Sequence, residues 1–414
     1  MEILLYISAT ISAILSIFSV YFFILALFAL KRFKKPPKAA PKNKFAIIIA
    51  ARNEAKVINE LIDSLNAQTY PGDLFDIFVF PNNCTDNTAE VAAKKATVIS
   101  CDHLSIKCKG DALTFAFDTL MNEPYHYDAF CVFDADNVVD RNFLSEMNDS
   151  LCNGANIIKG RGEVKNPYDT WVSGCYALYF SMCNIFVARS RANIGLSAKL
   201  IGTGFCVSRQ LMEKLGGWHT KTITEDVEFS TICALSGDKV HWAPDALYYD
   251  EAPNSFSVSM TQRTRWISGI MQVAQIYLPS IFKTIKKGSF RLLLDYILYL
   301  SFPFSRAFSV VPTIITIIAY AIFAGGSLLN YLIISLGSLA LSYIGLCIGS
   351  LILTLLTGLS VKKAYKGIFT YYLFTLTWLP IYIYSLFVKT TSWKEIRHDR
   401  NIKAEDVVEI KSLK

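Results

Sequence analysis

Phe45-Ala46-Ile47-Ile48-Ile49-Ala50-Ala51 is an unbroken apolar run of strand length that ends abruptly on Arg52-Asn53-Glu54. A strand covered on both faces reads this way, whereas a strand with one wet face alternates. Similar runs recur at residues 75–80, 97–99 and 129–133. Helical patterns are expected between them, over residues 53–67, 86–95 and 109–121. Strands alternating with helices predict an α/β layer with a mostly parallel sheet. Ligands of such sheets sit beyond the carboxyl ends of the strands. Arg52-Asn53, Asn82-Asn83 and Asp134 all fall there.

Outward from this layer the composition changes. Over 414 residues, 52% are hydrophobic, and the mean hydropathy of +0.34 is high for a wholly soluble chain. Residues 3–30 carry no charge, and three more apolar blocks lie near 291–324, 328–360 and 367–388. Each is long enough to cross roughly 30 Å of hydrocarbon. The first block starts on an acidic residue and lacks a small-residue cleavage site. A retained anchor over 1–30 is therefore expected rather than a cleaved leader.

Lys31, Arg32, Lys34, Lys35, Lys38, Lys42 and Lys44 follow without an acidic residue, which predicts a cytosolic side for what comes next. Pro36, Pro37 and Pro41 make 31–44 an extended linker. The expected order is then a catalytic domain over 45–254, interfacial amphipathic helices over 255–290, a membrane region over 291–388 and a charged tail over 389–414. Asp295 is expected at the membrane interface, because a charge in lipid is costly. The spans do not count evenly, since basic residues flank both ends of 367–388. The net charge of +7 reads as topology and lipid headgroup attraction, not nucleic-acid binding. The ten cysteines form no Cys-x-x-Cys pair, so no zinc site is expected. No GxxxxGK[ST] string occurs, nor a GxGxxG after the first strand, which excludes the usual nucleotide hydrolases and nicotinamide enzymes.

Three polar strings carry the chemistry. Asp134-Ala135-Asp136 follows a buried strand, and two carboxylates there can hold Mg²⁺ or Mn²⁺ with phosphate oxygens, or simply cap a solvated turn. Thr224-Glu225-Asp226 precedes a helical pattern. It supplies either a cap with acids in the first turn or a base on a rigid platform. Gln262-Arg263-Thr264-Arg265-Trp266 offers guanidinium forks for phosphate and a flat ring for a sugar, or a basic helix lying on a membrane.

In this order, the strings resemble the membrane-integrated family 2 glycosyltransferases, which include cellulose, hyaluronan and poly-N-acetylglucosamine synthases. Asn82-Asn83-Cys84-Thr85-Asp86 is similar to that family's uridine-contacting turn, with Asn82 standing where Asp is usual. Lys109-Gly110-Asp111-Ala112-Leu113 and Gly202-Thr203-Gly204-Phe205 are similar to two further segments. The resemblance implies a GT-A-like domain inserted between transmembrane helices. It implies Asp226 as catalytic base with Glu225 beside it, and Asp136 with Asp134 at the metal. Asn53, Glu54, Asn82, Asp86, Lys109, Asp134, Gln262, Arg263 and Arg265 would surround the donor. Trp266, Gly202, Thr203, Gly204 and Phe205 would face the acceptor. The expected reaction is an inverting transfer from a UDP-sugar to the end of a growing β-linked polysaccharide at the cell membrane, processive and coupled to translocation. Transfer of one sugar to a lipid-linked acceptor is the alternative enzyme. A transporter or scaffold with a nucleotide-binding domain is the alternative of another class.

Overall fold

A computed structural model describes residues 1–102, 105–122, 124–323, 327–390, 400–403 and 405–407. The strands are β1 Phe45–Ala51, β2 Phe75–Pro81, β3 Thr97–Val98, β4 Ala129–Asp134, β5 Val138–Val139, β6 Ile157–Val164, β7 Phe205–Ser208 and β8 His241–Asp250. They form one sheet in the order β3-β2-β1-β4-β7-β6-β8-β5. The expected parallel layer is its first half, with β3, β2, β1 and β4 all parallel. β6 and β8 also pair parallel, while β7 and β5 join antiparallel.

Successive residues of β1 feed opposite cores. Ala46 and Ile48 pack with Phe117, Phe130 and Trp218 on one face, and Phe45, Ile47 and Ile49 with Leu61 and Phe133 on the other. This two-sided burial is why the run is continuously apolar. The helix after β1 starts only at Ile58, because Asn53 takes a left-handed backbone (φ 57°) that turns the chain first.

The basic linker is not a free tether. Ala39 N donates to Asp149 Oδ1 at 2.8 Å, Lys38 lies 3.1 Å from Asp149, and Lys35 pairs with Asp245. It is laid along the helix Phe143–Cys152.

Among the described residues, four helical segments are long and apolar enough to cross a membrane: Glu2–Leu30, Trp171–Ala192, Phe290–Phe323 and Leu329–Thr357. Sequence reasoning missed the second, whose apolar pattern is broken by Tyr, Ser and Asn. It is 50% buried against 11–17% for the others, so it belongs to the protein's interior packing. The expected block at 367–388 is two helices, Val361–Leu376 and Trp378–Phe387, and neither reaches a span's length. Gly174 and Gly367 make the crossing of the first of these with Trp171–Met182 close enough that a Cβ on Gly174 would sit 3.2 Å from the Gly367 Cα.

Asp295, expected at the membrane interface, is enclosed by protein side chains. It is 1% exposed. Its carboxylate accepts from Arg191 Nε at 3.1 Å and from the Tyr21 hydroxyl at 2.7 Å, with Lys199 Nζ 2.7 Å away. Two hydrogen-bond donors and a second cation compensate the charge, which is what a buried carboxylate requires.

Candidate active site

The carboxyl ends of β1, β2 and β4 open on a cavity of ≈ 250 Å³. Its walls are completed by the start of Lys109–Leu120, the loop before β7, the start of Glu225–Leu235, the helix Phe256–Thr284, and Tyr299 of Phe290–Phe308. Sheet edge and helices thus converge on one space.

At the sheet edge, Arg52 Nε donates to the Asn82 side-chain oxygen at 3.0 Å, and Asn82 Nδ2 donates to Ala51 O at 3.1 Å. Asn82 is thereby held in one orientation, its oxygen already engaged by a cation. Glu54 lines the cavity, but Asn53 and Asp86 lie outside its lining. Asn53 Oδ1 accepts from Thr85 N at 2.7 Å, and Asp86 accepts from Ala55 N at 3.2 Å and Thr88 N at 3.1 Å. These two residues brace the turns that carry Glu54 and Asn82.

Lys109 stands between the first two polar strings. Its ammonium is 2.5 Å from Asp134 and 3.5 Å from Glu225. Burial works against its charge, but Asp134 and Glu225 outweigh that and raise its pKa, so it stays protonated. Glu225 and Asp226 occupy the first turn of their helix and are each 8% exposed. Burial, opposed by Lys109 and helped by the neighbouring carboxylates, pushes Glu225 up to about 7. Burial also raises Asp226, against the N–H groups of Gly202 and Val227. The Gly202 N–H donates directly to the Asp226 carboxylate. Both carboxyls are thus held above the ordinary carboxylate range.

Gln262, Arg265 and Trp266 line the cavity from one face of their helix. Gln262 Oε1 is buried with no protein partner, an acceptor left for a ligand. Trp266 stacks on Tyr179 with ring centroids 6.2 Å apart and planes 18° from parallel. The helix sits close because Gly269 has no Cβ to strike the Thr224 side chain.

Arg263 is one residue, about 100° of helix, off that face. It is fully buried on the other side, donating to Phe374 O at 3.2 Å and Thr377 Oγ1 at 2.8 Å. The expected donor contact from Arg263 is not formed in this arrangement. Phe205 likewise lies in the core of β7, 5.9 Å from the Trp218 ring. Gly202 and Thr203 line the cavity, and Gly204 closes against the Tyr248 ring behind it. Thr203 acts as a strut, its hydroxyl accepting from Asp134 N at 2.8 Å and donating to Asn137 Oδ1 at 2.7 Å.

Residues 41–269 match the family described as glycosyltransferase like family 2. The chain belongs to that family. It is 27% identical over 375 residues to the probable glycosyltransferase YdaM of Bacillus subtilis, covering 86% of this chain and 83% of that one. It is 26% identical over 235 residues to a beta-monoglucosyldiacylglycerol synthase of Nostoc sp., covering 54% of this chain but only 48% of that relative. It is 24% identical over 250 residues to a poly-beta-1,6-N-acetyl-D-glucosamine synthase of Staphylococcus aureus, covering 59% of this chain and 58% of that one. Among solved structures, the mannosyltransferase PcManGT of Pyrobaculum calidifontis, in complex with GDP-Man and Mn²⁺, superposes with a TM-score of 0.62. That match covers 91% of this chain and 99% of the other at 18% identity, a likeness of fold. The protein is a glycosyltransferase with a GT-A-like fold.

Several cavity residues of this glycosyltransferase were not foreseen. Lys159 of β6 is buried, and its ammonium donates to Thr203 O and to the Tyr248 hydroxyl, the latter at 2.6 Å. Burial lowers its pKa to about 7, partly opposed by Asp226 and Asp250. Lys199 and Tyr299 line the opposite end. No local pattern marks a lysine as buried, because its partners lie far away in sequence. A divalent cation suits the donor set. Asp134 and Asp136 supply hard oxygens at the strand end, and no cluster of three His, Cys, Asp or Glu side chains closes a cage among the described residues. Diphosphate oxygens and water would complete such a shell.

Proposed function

We propose that this glycosyltransferase moves one sugar, with inversion, from a nucleoside diphosphate sugar to a hydroxyl of a membrane-borne lipid acceptor. The observation that carries this reading is the position of Asp226. It lines one cavity together with Lys109, Asp134 and Asp136 and with the rings of Tyr179, Phe180, Trp266 and Tyr299. The acceptor hydroxyl attacks the anomeric carbon while Asp226 takes its proton. The transition state carries oxocarbenium character. Lys109 and Arg265 face the charge that develops on the departing diphosphate, and Gln262 Oε1 orients a donor or acceptor hydroxyl. Asp136 and Asp134 would hold Mg²⁺ or Mn²⁺, which would supply further neutralisation of the diphosphate.

Tyr299 belongs to Phe290–Phe308, the start of the apolar segment Phe290–Phe323, so one ring of the cavity wall stands on a candidate span, the side from which an acceptor with an apolar body would approach. Three crossings, Glu2–Leu30, Phe290–Phe323 and Leu329–Thr357, account for the charges. Lys31 to Lys44, Lys362, Lys363, Lys366 and Lys389 then all share the cytosolic side, with Val361–Leu376 and Trp378–Phe387 lying against the catalytic domain. The similarity to a beta-monoglucosyldiacylglycerol synthase supports the same acceptor class.

Extension of a β-linked polysaccharide is the second reading. It is favoured by the Gln262, Arg265 and Trp266 face and by the similarity to a polymer synthase. Purified full-length protein in lipid nanodiscs, given radiolabelled UDP-glucose, UDP-N-acetylglucosamine or GDP-mannose with Mn²⁺, separates the two. A product that extracts into chloroform–methanol and carries one sugar is expected. A ladder of lengthening, lipid-free chains would replace the single-transfer reading with the polymer one.

A further inference from the structure

Lys199 is a buried, non-glycine residue with a left-handed backbone (φ 68°) at the head of the loop that grips the active site. Side chains with a Cβ disfavour this conformation, so it persists only where the surroundings hold it. Here the holding group is visible. The Lys199 ammonium is 2.7 Å from Asp295 Oδ2 and 3.0 Å from the centroid of the Tyr296 ring. Asp295 is clamped in turn by Arg191 Nε, at 3.1 Å from both carboxylate oxygens. The Tyr21 hydroxyl of Glu2–Leu27 donates to the same carboxylate at 2.7 Å. Burial opposes the charge of Lys199 and Asp295 supports it, so the carboxylate is the group that sustains the ammonium there.

Downstream, the loop has two attachments to the reacting groups. Gly202 N–H donates to Asp226, and Thr203 accepts from Asp134 N at 2.8 Å. Asp295 itself is not in the cavity lining. We infer that Asp295 is a positioning residue. Through Lys199 it holds the 199–204 loop so that Gly202 orients the Asp226 carboxylate, and through Tyr21 it makes that hold depend on the seating of the N-terminal membrane helix. The catalytic base thus senses whether Glu2–Leu27 is docked. The inference rests on Asp226 acting as the base.

The test uses full-length protein in nanodiscs, with turnover and UDP affinity measured separately. Asp295→Asn and Lys199→Met should each lower kcat by roughly tenfold or more, since small misplacements of reacting groups are costly. UDP Kd should stay within about twofold. The double variant should be no slower than Lys199→Met, because both changes break one linkage. Asp295→Glu should recover part of the loss, and Tyr21→Phe should lower kcat by roughly threefold. Full additivity, or unchanged kcat in Lys199→Met, overturns the inference; unchanged kcat in Tyr21→Phe removes the membrane helix from it. If Asp295→Asn loses UDP binding through misfolding, Lys199→Met decides, since it leaves the Arg191–Asp295 pair intact. Asp226→Asn separates the two claims. Normal turnover there sinks the base assignment, whereas an inactive Asp226→Asn beside a normal Lys199→Met sinks only the positioning role.

Discussion

The two ends of the cavity are built on different principles. At the polar end each functional residue hangs from its own strand end or helix start, and its neighbours fasten it by hydrogen bonds: Asn82 by Arg52 and Ala51, Asp134 by Lys109, Asp226 by Gly202. At the aromatic end, Tyr179, Trp266 and Tyr299 come from the faces of long helices and are placed by packing. Hydrogen bonds hold a charge where a charge must be met. Packed rings leave a smooth wall that admits a shape. The first end should therefore govern rate, and the second, admission.

The sharpest break of this contrast is Asp226→Asn, expected to lower transfer by about a thousandfold or more. Calorimetry should find UDP affinity within about twofold; equal losses in both would move Asp226 from the reaction to donor binding. Next comes the cation. Chelation, or Asp136→Asn, should each cost about a hundredfold, with Mn²⁺ restoring the chelated wild type only and Mn²⁺ binding, followed by electron paramagnetic resonance, weakened in the variant. Trp266→Ala should cut acceptor transfer by about tenfold while donor hydrolysis changes by less than about twofold. Parallel losses would mean that the ring serves both ends.

The pH profile is subtler. A base works deprotonated, and burial raises both Glu225, to about 7, and Asp226. Activity should therefore rise with pH along a limb above the ordinary carboxylate range, and Glu225→Gln should shift that limb down by about one unit. A limb left in place would uncouple the pair. Arg263→Met should do least to chemistry. Turnover per folded molecule should hold within about twofold, while thermal melting reports a loss of about 2 kcal/mol from its contacts to Phe374 and Thr377.

What could be read from the chain follows the same divide. β1 and β4 announce themselves because both faces are covered, leaving continuous apolar runs up to the strand end, and β2 does so from Ile77 onward. The second half of the sheet does not. β6 reads Ile-Ile-Lys-Gly-Arg-Gly-Glu-Val, in which Lys159 is buried on Tyr248, and Gly160 and Gly162 make room for Phe143 and Tyr248. No local rule turns that string into a strand. Asp226, Gln262, Arg265 and Trp266 were legible as short motifs in order. Arg263 was grouped with its neighbours because a motif gives them one role, while helical geometry turns it about 100° away, toward Phe374 and Thr377. Lys199 and Asp295 were invisible as a pair, being joined only by the fold. The Thr390-Thr391-Ser392-Trp393-Lys394 string and His398, which resemble tail segments of polymer synthases, lie largely outside the described residues.

The crossing of Gly174 over Gly367 has a practical corollary. The family match ends at residue 269, yet Gly367 of Val361–Leu376 is what Gly174 packs against, and Arg263 Nη1 donates to Phe374 O and Thr377 Oγ1 beyond that boundary. A truncation at the family boundary would bare Tyr176, Cys175 and a buried cation together. Such a fragment should aggregate rather than yield a soluble enzyme. The unit that folds is larger than the segment the family description covers.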